Sequence, residues 1–181
     1  MSEQQLEQVV EEKPNPMTAV RIGKVVVNVS VGKSGEPLEK AIKIVEQLTG
    51  HKPCYRKAKK TIRGFGIRKG EPIACLVTLR GSDAVEFLRK AFAAVGNKMP
   101  SRSFDPFGNF SFGIKEHIDI PGTRYDPNLG IIGMDVCVSL EKPGYRVMRR
   151  RRRRSSVGKA QRVTKEEAIE FVKREFGVEV V

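Results

Sequence analysis

Valine stands at every second position from Val25 to Val31, and Lys24, Val26, Asn28 and Ser30 fill the places between. Successive side chains of a strand point to opposite faces, so this period predicts a strand with one buried side and one mostly polar side. Ile73–Arg80 repeats the pattern, with Cys75, Val77 and Leu79 on one face and Thr78 and Arg80 on the other. Ile131–Leu140 does so again, with Ile132, Met134, Val136, Val138 and Leu140 in phase. A shorter alternation, Phe110, Phe112 and Ile114, leads towards His117. Three other segments carry a helical period. Leu38, Ala41, Ile42, Val45 and Leu48 lie between Pro37 and Gly50, which suit a first turn and a stop. Val85, Leu88, Ala91, Phe92 and Val95 lie between Ser82 and Gly96. Ala168, Ile169, Val172 and Phe176 lie between the capping-box pair Thr164/Glu167 and Gly177. One-sided helices and one-sided strands together predict a two-layer α+β fold, with helices over one face of a largely antiparallel sheet and the other face open to a binding partner.

The 181 residues suit a single domain over 17–181. Residues 1–16 are acidic, polar and broken by Pro14 and Pro16, and read as a flexible extension. They are the opposite of a secretory leader, and no apolar run approaches the roughly 18 residues of a membrane span. A soluble intracellular protein is expected. Cys54, Cys75 and Cys137 are odd in number and far apart, which speaks against a disulfide framework and for small buried or half-buried thiols. His51-x-x-Cys54 lacks a second ligand pair for zinc, and Asp105, Asp119, Asp126 and Asp135 have no metal-site spacing. No metal, no cofactor and no catalytic residue is expected. Gly32-Lys33-Ser34 fails as a phosphate loop because Val27 stands where its first glycine belongs. Gly64, Gly66 and Gly70 miss the dinucleotide spacing and precede a strand rather than a helix. They are better read as a projecting, flexible loop tip.

The charge is segregated. Lys142–Lys165 holds eleven Lys or Arg and no acid, including the six consecutive arginines Arg149, Arg150, Arg151, Arg152, Arg153 and Arg154. Lys52–Lys69 holds eight more, again with no acid. The rest of the chain has 15 basic residues against 21 acidic ones, so the net +13 sits in two patches. Concentrated like charge repels itself unless a polyanion neutralises it. Nucleic acid is the partner that such patches best fit, because counterion release drives its binding. The arginine run lies in a basic insertion at about 142–163, between a strand and a capped helix, and it lacks the interleaved large apolar residues of a membrane patch.

The segment IVEQLTGHKPCYRKAKKTIRGFGIRKGEPIACLVTLRG, with KVVVNVSVG before it and SFDPFGNFSFGIKEHI after it, resembles the large-subunit ribosomal protein family, number five of that subunit, that binds 5S ribosomal RNA. The likeness runs in order from about Met17 to Leu140, and the arginine insertion and last helix resemble the archaeal and eukaryotic branch. The resemblance implies a curved sheet whose open face docks on 5S RNA in the central protuberance. It implies RNA contacts at Asn28, His51, Thr78 and Arg80, with bacterial members carrying Gln at the place of His51. It implies that the loop Arg63, Gly64, Phe65, Gly66, Ile67, Arg68, Lys69 and Gly70 points towards peptidyl-site transfer RNA. A small-subunit head protein and other neighbouring ribosomal proteins are implied partners of a monomer within the cytoplasmic ribosome. Lys57, Lys59, Lys60 and the six arginines are expected on large-subunit ribosomal RNA phosphates.

Overall fold

The period-two segments form a five-stranded sheet in the computed structural model, which describes residues 15–181. The strands are β1 (Arg21–Ser30), β2 (Cys54–Lys57), β3 (Pro72–Leu79), β5 (Phe110–Ile114) and β6 (Met134–Glu141), in the order β2-β3-β1-β6-β5. Every neighbouring pair is antiparallel. The helices are α1 (Glu36–Thr49), α2 (Gly81–Ala94), the single turn α3 (Arg146–Arg149) and α4 (Lys165–Phe176). Two short strands, β4 (Lys98–Met99) and β7 (Glu179–Val180), pair in parallel and tie the segment after α4 to the exit of α2.

One continuous core lies between the sheet and α1, α2 and α4. Val25, Val27 and Val29 of β1, Cys75, Val77 and Leu79 of β3, and Val136 and Val138 of β6 form its floor. Phe92 of α2 stacks on Phe112 at 5.2 Å and meets Phe110 and Phe176 at 6.2 and 5.1 Å between ring centroids. Both main layers follow the sequence pattern, with local corrections. Ile44 rather than Ile42 is buried on α1, and Ala84 and Phe87 rather than Val85 and Val95 on α2. On α4, Phe171 is buried while Ile169 and Phe176 are half-buried. The helix beginning expected at Ser82 lies at Gly81, with Arg80 in the cap position. Strand β2 lies inside the first basic run, where the sequence pattern predicts no strand. Residues 1–14 of the extension lie outside the described residues, and Asn15–Thr18 make a turn closed by the Thr18 amide on the Asn15 carbonyl at 2.9 Å.

Two buried charges fasten the insertion to the domain. A bulge at Gly23 removes a side chain where a Cβ would fall 2.6 Å from the Glu141 carboxyl carbon. The space holds the buried Glu141, whose carboxylate accepts from Arg149. Lys142, 7% exposed at its side chain, donates to Glu167 Oε1 at 2.6 Å. The other oxygen of Glu167 closes the capping box on the Thr164 amide at 3.1 Å. Burial pushes the Glu167 carboxyl up, but Lys142 and the Thr164 amide outweigh it and hold the carboxyl below its ordinary value. A group depressed in the folded state stabilises above its unfolded pKa and loses that contribution as pH falls through the folded pKa. Glu167→Gln should therefore lower the melting temperature at pH 7, and the gap to the parent should narrow in titrations carried below the ordinary carboxylate value of 4.5. A gap independent of pH would show that the pair is electrostatically idle.

Candidate RNA interface

The register lays out the uncovered side of the sheet in rows. Cys54, Leu76, Asn28, Asp135 and Gly113 run across all five strands. Thr78, Val26, Cys137 and Ser111 form the next row, and Arg56, Ala74 and Ser30 the row on the other side. Lys24 stands opposite Ser139 beyond them. Lys24, Ser30, Cys54, Arg56, Ser111, Asp135 and Cys137 are exposed, and Val26, Asn28, Leu76 and Thr78 half-buried. The face mixes small hydrogen-bonding groups (Asn28, Ser30, Thr78, Ser111 and Ser139) with Val26, Ala74 and Leu76. It carries Asp135 in its central row and has the cations Lys24 and Arg56 at its margins. Asn28 donates to Ser30 Oγ at 3.1 Å, which orients its amide along the strand. Beside it a depression of about 440 Å³ is lined by Asn28, Ser30, Lys115 and Asp135, among others.

Of the four positions singled out for RNA contact, the structure brings Asn28 and Thr78 onto this face as near-diagonal neighbours on β1 and β3. Arg80 follows on the same strand phase, exposed, where β3 passes through Gly81 at φ +62° into α2. A cation at a helix N-terminus opposes the helix dipole, so its presence there favours an outside anion. The neighbouring acid does not satisfy it. Asp83 is engaged by His51 Nε2 at 2.9 Å and by the Ser82 hydroxyl at 2.9 Å, and these, the histidine foremost, hold its carboxyl below the usual range. Among the described residues Arg80 makes no ion pair. His51 lies outside the strand ladder and joins the cluster only through Asp83.

Lys57, Lys59 and Lys60 are exposed at the stem of the excursion between β2 and β3. Its base is closed by the Ala58 amide on Glu71 O at 2.8 Å and the Gly70 amide on Ala58 O at 2.9 Å. Its tip is closed by paired bonds between Ile62 and Ile67. Arg63–Phe65 make a single tight turn, Gly66 takes φ +69°, and Phe65 stands 74% exposed at the end. The loop expected to be flexible is therefore internally bonded. The Glu71 carboxylate adds to this, accepting from Ser34 and from the Arg68 amide.

Arg149 is drawn to Glu141, but Arg150, Arg151, Arg152, Arg153 and Arg154 are exposed and make no ion pair among the described residues. The Arg150 guanidinium donates to Arg153 O at 2.8 Å, and Arg153 takes the left-handed φ of 50°, so the run doubles back rather than trailing outward. Asp105 accepts from Phe107 and Asn109 in a turn, Asp126 from Asn128, and Asp135 faces outward on the sheet. Of the thiols expected buried or half-buried, only Cys75 is buried, its pKa pushed up to about 11 by that burial. Cys54 and Cys137 are exposed because their strand phase turns them to the open face. Lys24, Ser30, Arg56 and Asp135 share this face without having been singled out as contacts from the sequence; the alternation that marks Asn28 and Thr78 also carries Lys24, Ser30 and Asp135, whereas Arg56 lies on β2, which has no period.

Comparison with known proteins identifies the family. The "Ribosomal protein L5" family model matches residues 15–68, and the model of that family's C-terminus matches residues 72–171. A protein of Pyrobaculum aerophilum named "Large ribosomal subunit protein uL5" is 60% identical over 168 residues, covering 93% of this chain and 94% of its own length. Proteins of the same name from Sulfurisphaera tokodaii and Sulfolobus acidocaldarius are 56% and 54% identical, covering 92% and 94% of this chain and 95% and 96% of their own. No helix among the described residues is long and apolar enough to cross a membrane. The chain belongs to the ribosomal protein L5 family, in its archaeal type.

Proposed function

We propose that this chain, a non-enzymatic structural component of the large ribosomal subunit, grips 5S ribosomal RNA with the open side of its sheet and helps hold it in the central protuberance. The observation that carries the reading is that uncovered face, on which Asn28, Ser30, Thr78 and Ser111 stand within cross-strand rows and Lys24, Arg56 and Arg80 stand at the margins. A-form RNA offers a wide, shallow minor groove of 2′-hydroxyls and base edges, read by shape more than by sequence. Asn28, Ser30 and Thr78 suit hydroxyls, and Arg80, Arg56 and Lys24 suit the flanking phosphates. Asp135, in the same row as Asn28, suits a hydroxyl donor rather than a phosphate. His51, exposed and bonded to Asp83, would meet the RNA beside Arg80.

The closed loop from Arg63 to Gly70 would approach peptidyl-site transfer RNA, presenting Phe65 for stacking and Arg63, Arg68 and Lys69 for phosphates. Lys57, Lys59, Lys60 and the arginine run would neutralise large-subunit ribosomal RNA. A head protein of the small subunit would complete an intersubunit bridge. The protein would work as a monomer within the cytoplasmic ribosome. Arg80→Glu should weaken 5S RNA binding by about 2 kcal/mol, or roughly thirtyfold in Kd, since charge-assisted phosphate contacts carry that much. The check is a binding isotherm at fixed salt with a 5S transcript. An unchanged Kd, or equal affinity for duplex DNA, would count against the sheet-face assignment.

A further inference from the structure

We propose that a cleft on the helix side of the molecule binds the phosphate of a single nucleotide, held by Lys90, Arg124 and the buried His117. The cleft, about 400 Å³, lies where α1, α2 and the segment 117–124 after β5 meet. Clefts that take small ligands have roughly 300 to 1,000 Å³, so there is room for more than a bare ion. Ile44, Leu48 and Ile120 give it an apolar wall, and no Asp or Glu lines it.

The histidine makes this a built site. His117 is 4% exposed. Its Nδ1 accepts from the Ile132 amide at 3.3 Å. A ring nitrogen that accepts carries no proton, so the proton is on Nε2, which can only donate. Among the described residues Nε2 has no hydrogen-bond partner, yet no buried side-chain nitrogen or oxygen lacks one. Nε2 is therefore open to the cleft that His117 lines. The ring is also held in place by its backbone. The His117 amide donates to Ile132 O at 3.0 Å. The Thr123 hydroxyl closes the loop, within 3.2 Å of the His117, Ile118 and Ile120 carbonyls, and Gly122 makes the turn at φ +90°. A donor fixed in advance loses little freedom when a ligand arrives.

Two cations complete the set. Arg124 is exposed and makes no ion pair among the described residues. Lys90 meets Glu86 at 2.6 Å, one turn back on α2, with side chains 44% and 70% exposed. A surface pair of this kind contributes little, so Lys90 can turn to another anion. Donors and cations without an acid favour an anion, and charge-assisted bonds to it are the strong ones. A phosphate group offers three terminal oxygens and up to two charges, enough for His117, Lys90 and Arg124 at once. The apolar wall beside them suits the face of a base. An A-form duplex keeps its bases stacked inside, so only a free nucleotide, or an unpaired one of an RNA, can bring both groups here. Helices α1 and α2 stand on the covered side of the sheet, so this site does not rest on the 5S RNA reading of the open side.

The test titrates the full chain with adenosine 5′-monophosphate, adenosine and inorganic phosphate at fixed ionic strength, and follows backbone amides by NMR. The monophosphate should move the Ile132 amide, the partner of His117 Nδ1, with a Kd below about 1 mM. Adenosine and inorganic phosphate should each bind at least about tenfold more weakly. Lys90→Ala combined with Arg124→Ala should weaken the monophosphate by about tenfold or more. Neither side chain belongs to the core, and a melting curve checks the fold. A short single-stranded oligoadenylate separates the two sources. Tighter binding than the monophosphate at the same amide assigns the site to RNA, and weaker binding assigns it to a free nucleotide. An Ile132 amide that stays still would overturn the proposal. So would a Kd unchanged in the double variant, or shifts confined to residues 149–154. Oligoglutamate that binds there more tightly than the monophosphate would give the cleft to an acidic peptide and overturn it as well.

Discussion

Replacing Arg150 to Arg154 by serine should lower the salt slope of ribosomal RNA binding by up to about four units, at roughly 0.7 to 0.9 for each phosphate that is no longer neutralised. Between 50 and 200 mM salt the parent would then lose roughly two orders of magnitude more affinity than the variant. Arg149 is left in place on structural grounds. Its guanidinium neutralises the buried Glu141, and removing it would leave an uncompensated charge in the space made by Gly23. The five remaining arginines are exposed and make no ion pair among the described residues, so serine there should leave the fold intact. Melting curves separate the two effects, and titrations at several salt concentrations give the slope. An identical slope in the variant would mean that the run meets no phosphate.

Phe92→Ala should cost about 3 to 5 kcal/mol of folding stability, the range for deleting a large buried ring. Phe92 is 1% exposed and joins three elements, its own α2, then β5 through Phe112 and Phe110, and α4 through Phe176. Helices and sheet cannot both collapse into the vacancy, because β5 is fixed by its ladder to β6 and α4 by the Lys142–Glu167 pair. The loss is a large share of the roughly 5 to 15 kcal/mol that domains typically have. Urea denaturation followed by far-ultraviolet circular dichroism would measure it. A loss below about 1 kcal/mol would show that the aromatic cluster re-forms without its central ring.

The long one-sided strands and helices are legible because each buries one face, which leaves a period in the sequence. Strand β2 is not, because all four of its residues are exposed and an edge strand outside the helix layer has no apolar phase to display. Strands β4 and β7 are two residues each, too short for any period. The period places Leu38, Ala41 and Val45 of α1 in the core correctly and misses at the margin of the stripe, where packing buries Ile44 and leaves Ile42 and Leu48 half-buried. At the interface, Asn28, Thr78 and Arg80 follow from strand phase. The engagement of Asp83 by His51 does not, because partners 32 residues apart leave no local mark. Nor does the burial of Glu141 and Lys142, which composition merges into a solvated basic stretch and which tertiary pairing draws inward.

The border of the sheet at β2 has a consequence for the molecule before it joins any assembly. An open strand edge is an invitation to pair with another copy and aggregate. Here the edge is four residues long, bulged between Arg56 and Lys57, and bears both of those cations. Stacking two such edges would press like charges together at strand spacing, so unassembled copies should stay dispersed until a polyanion cancels the repulsion.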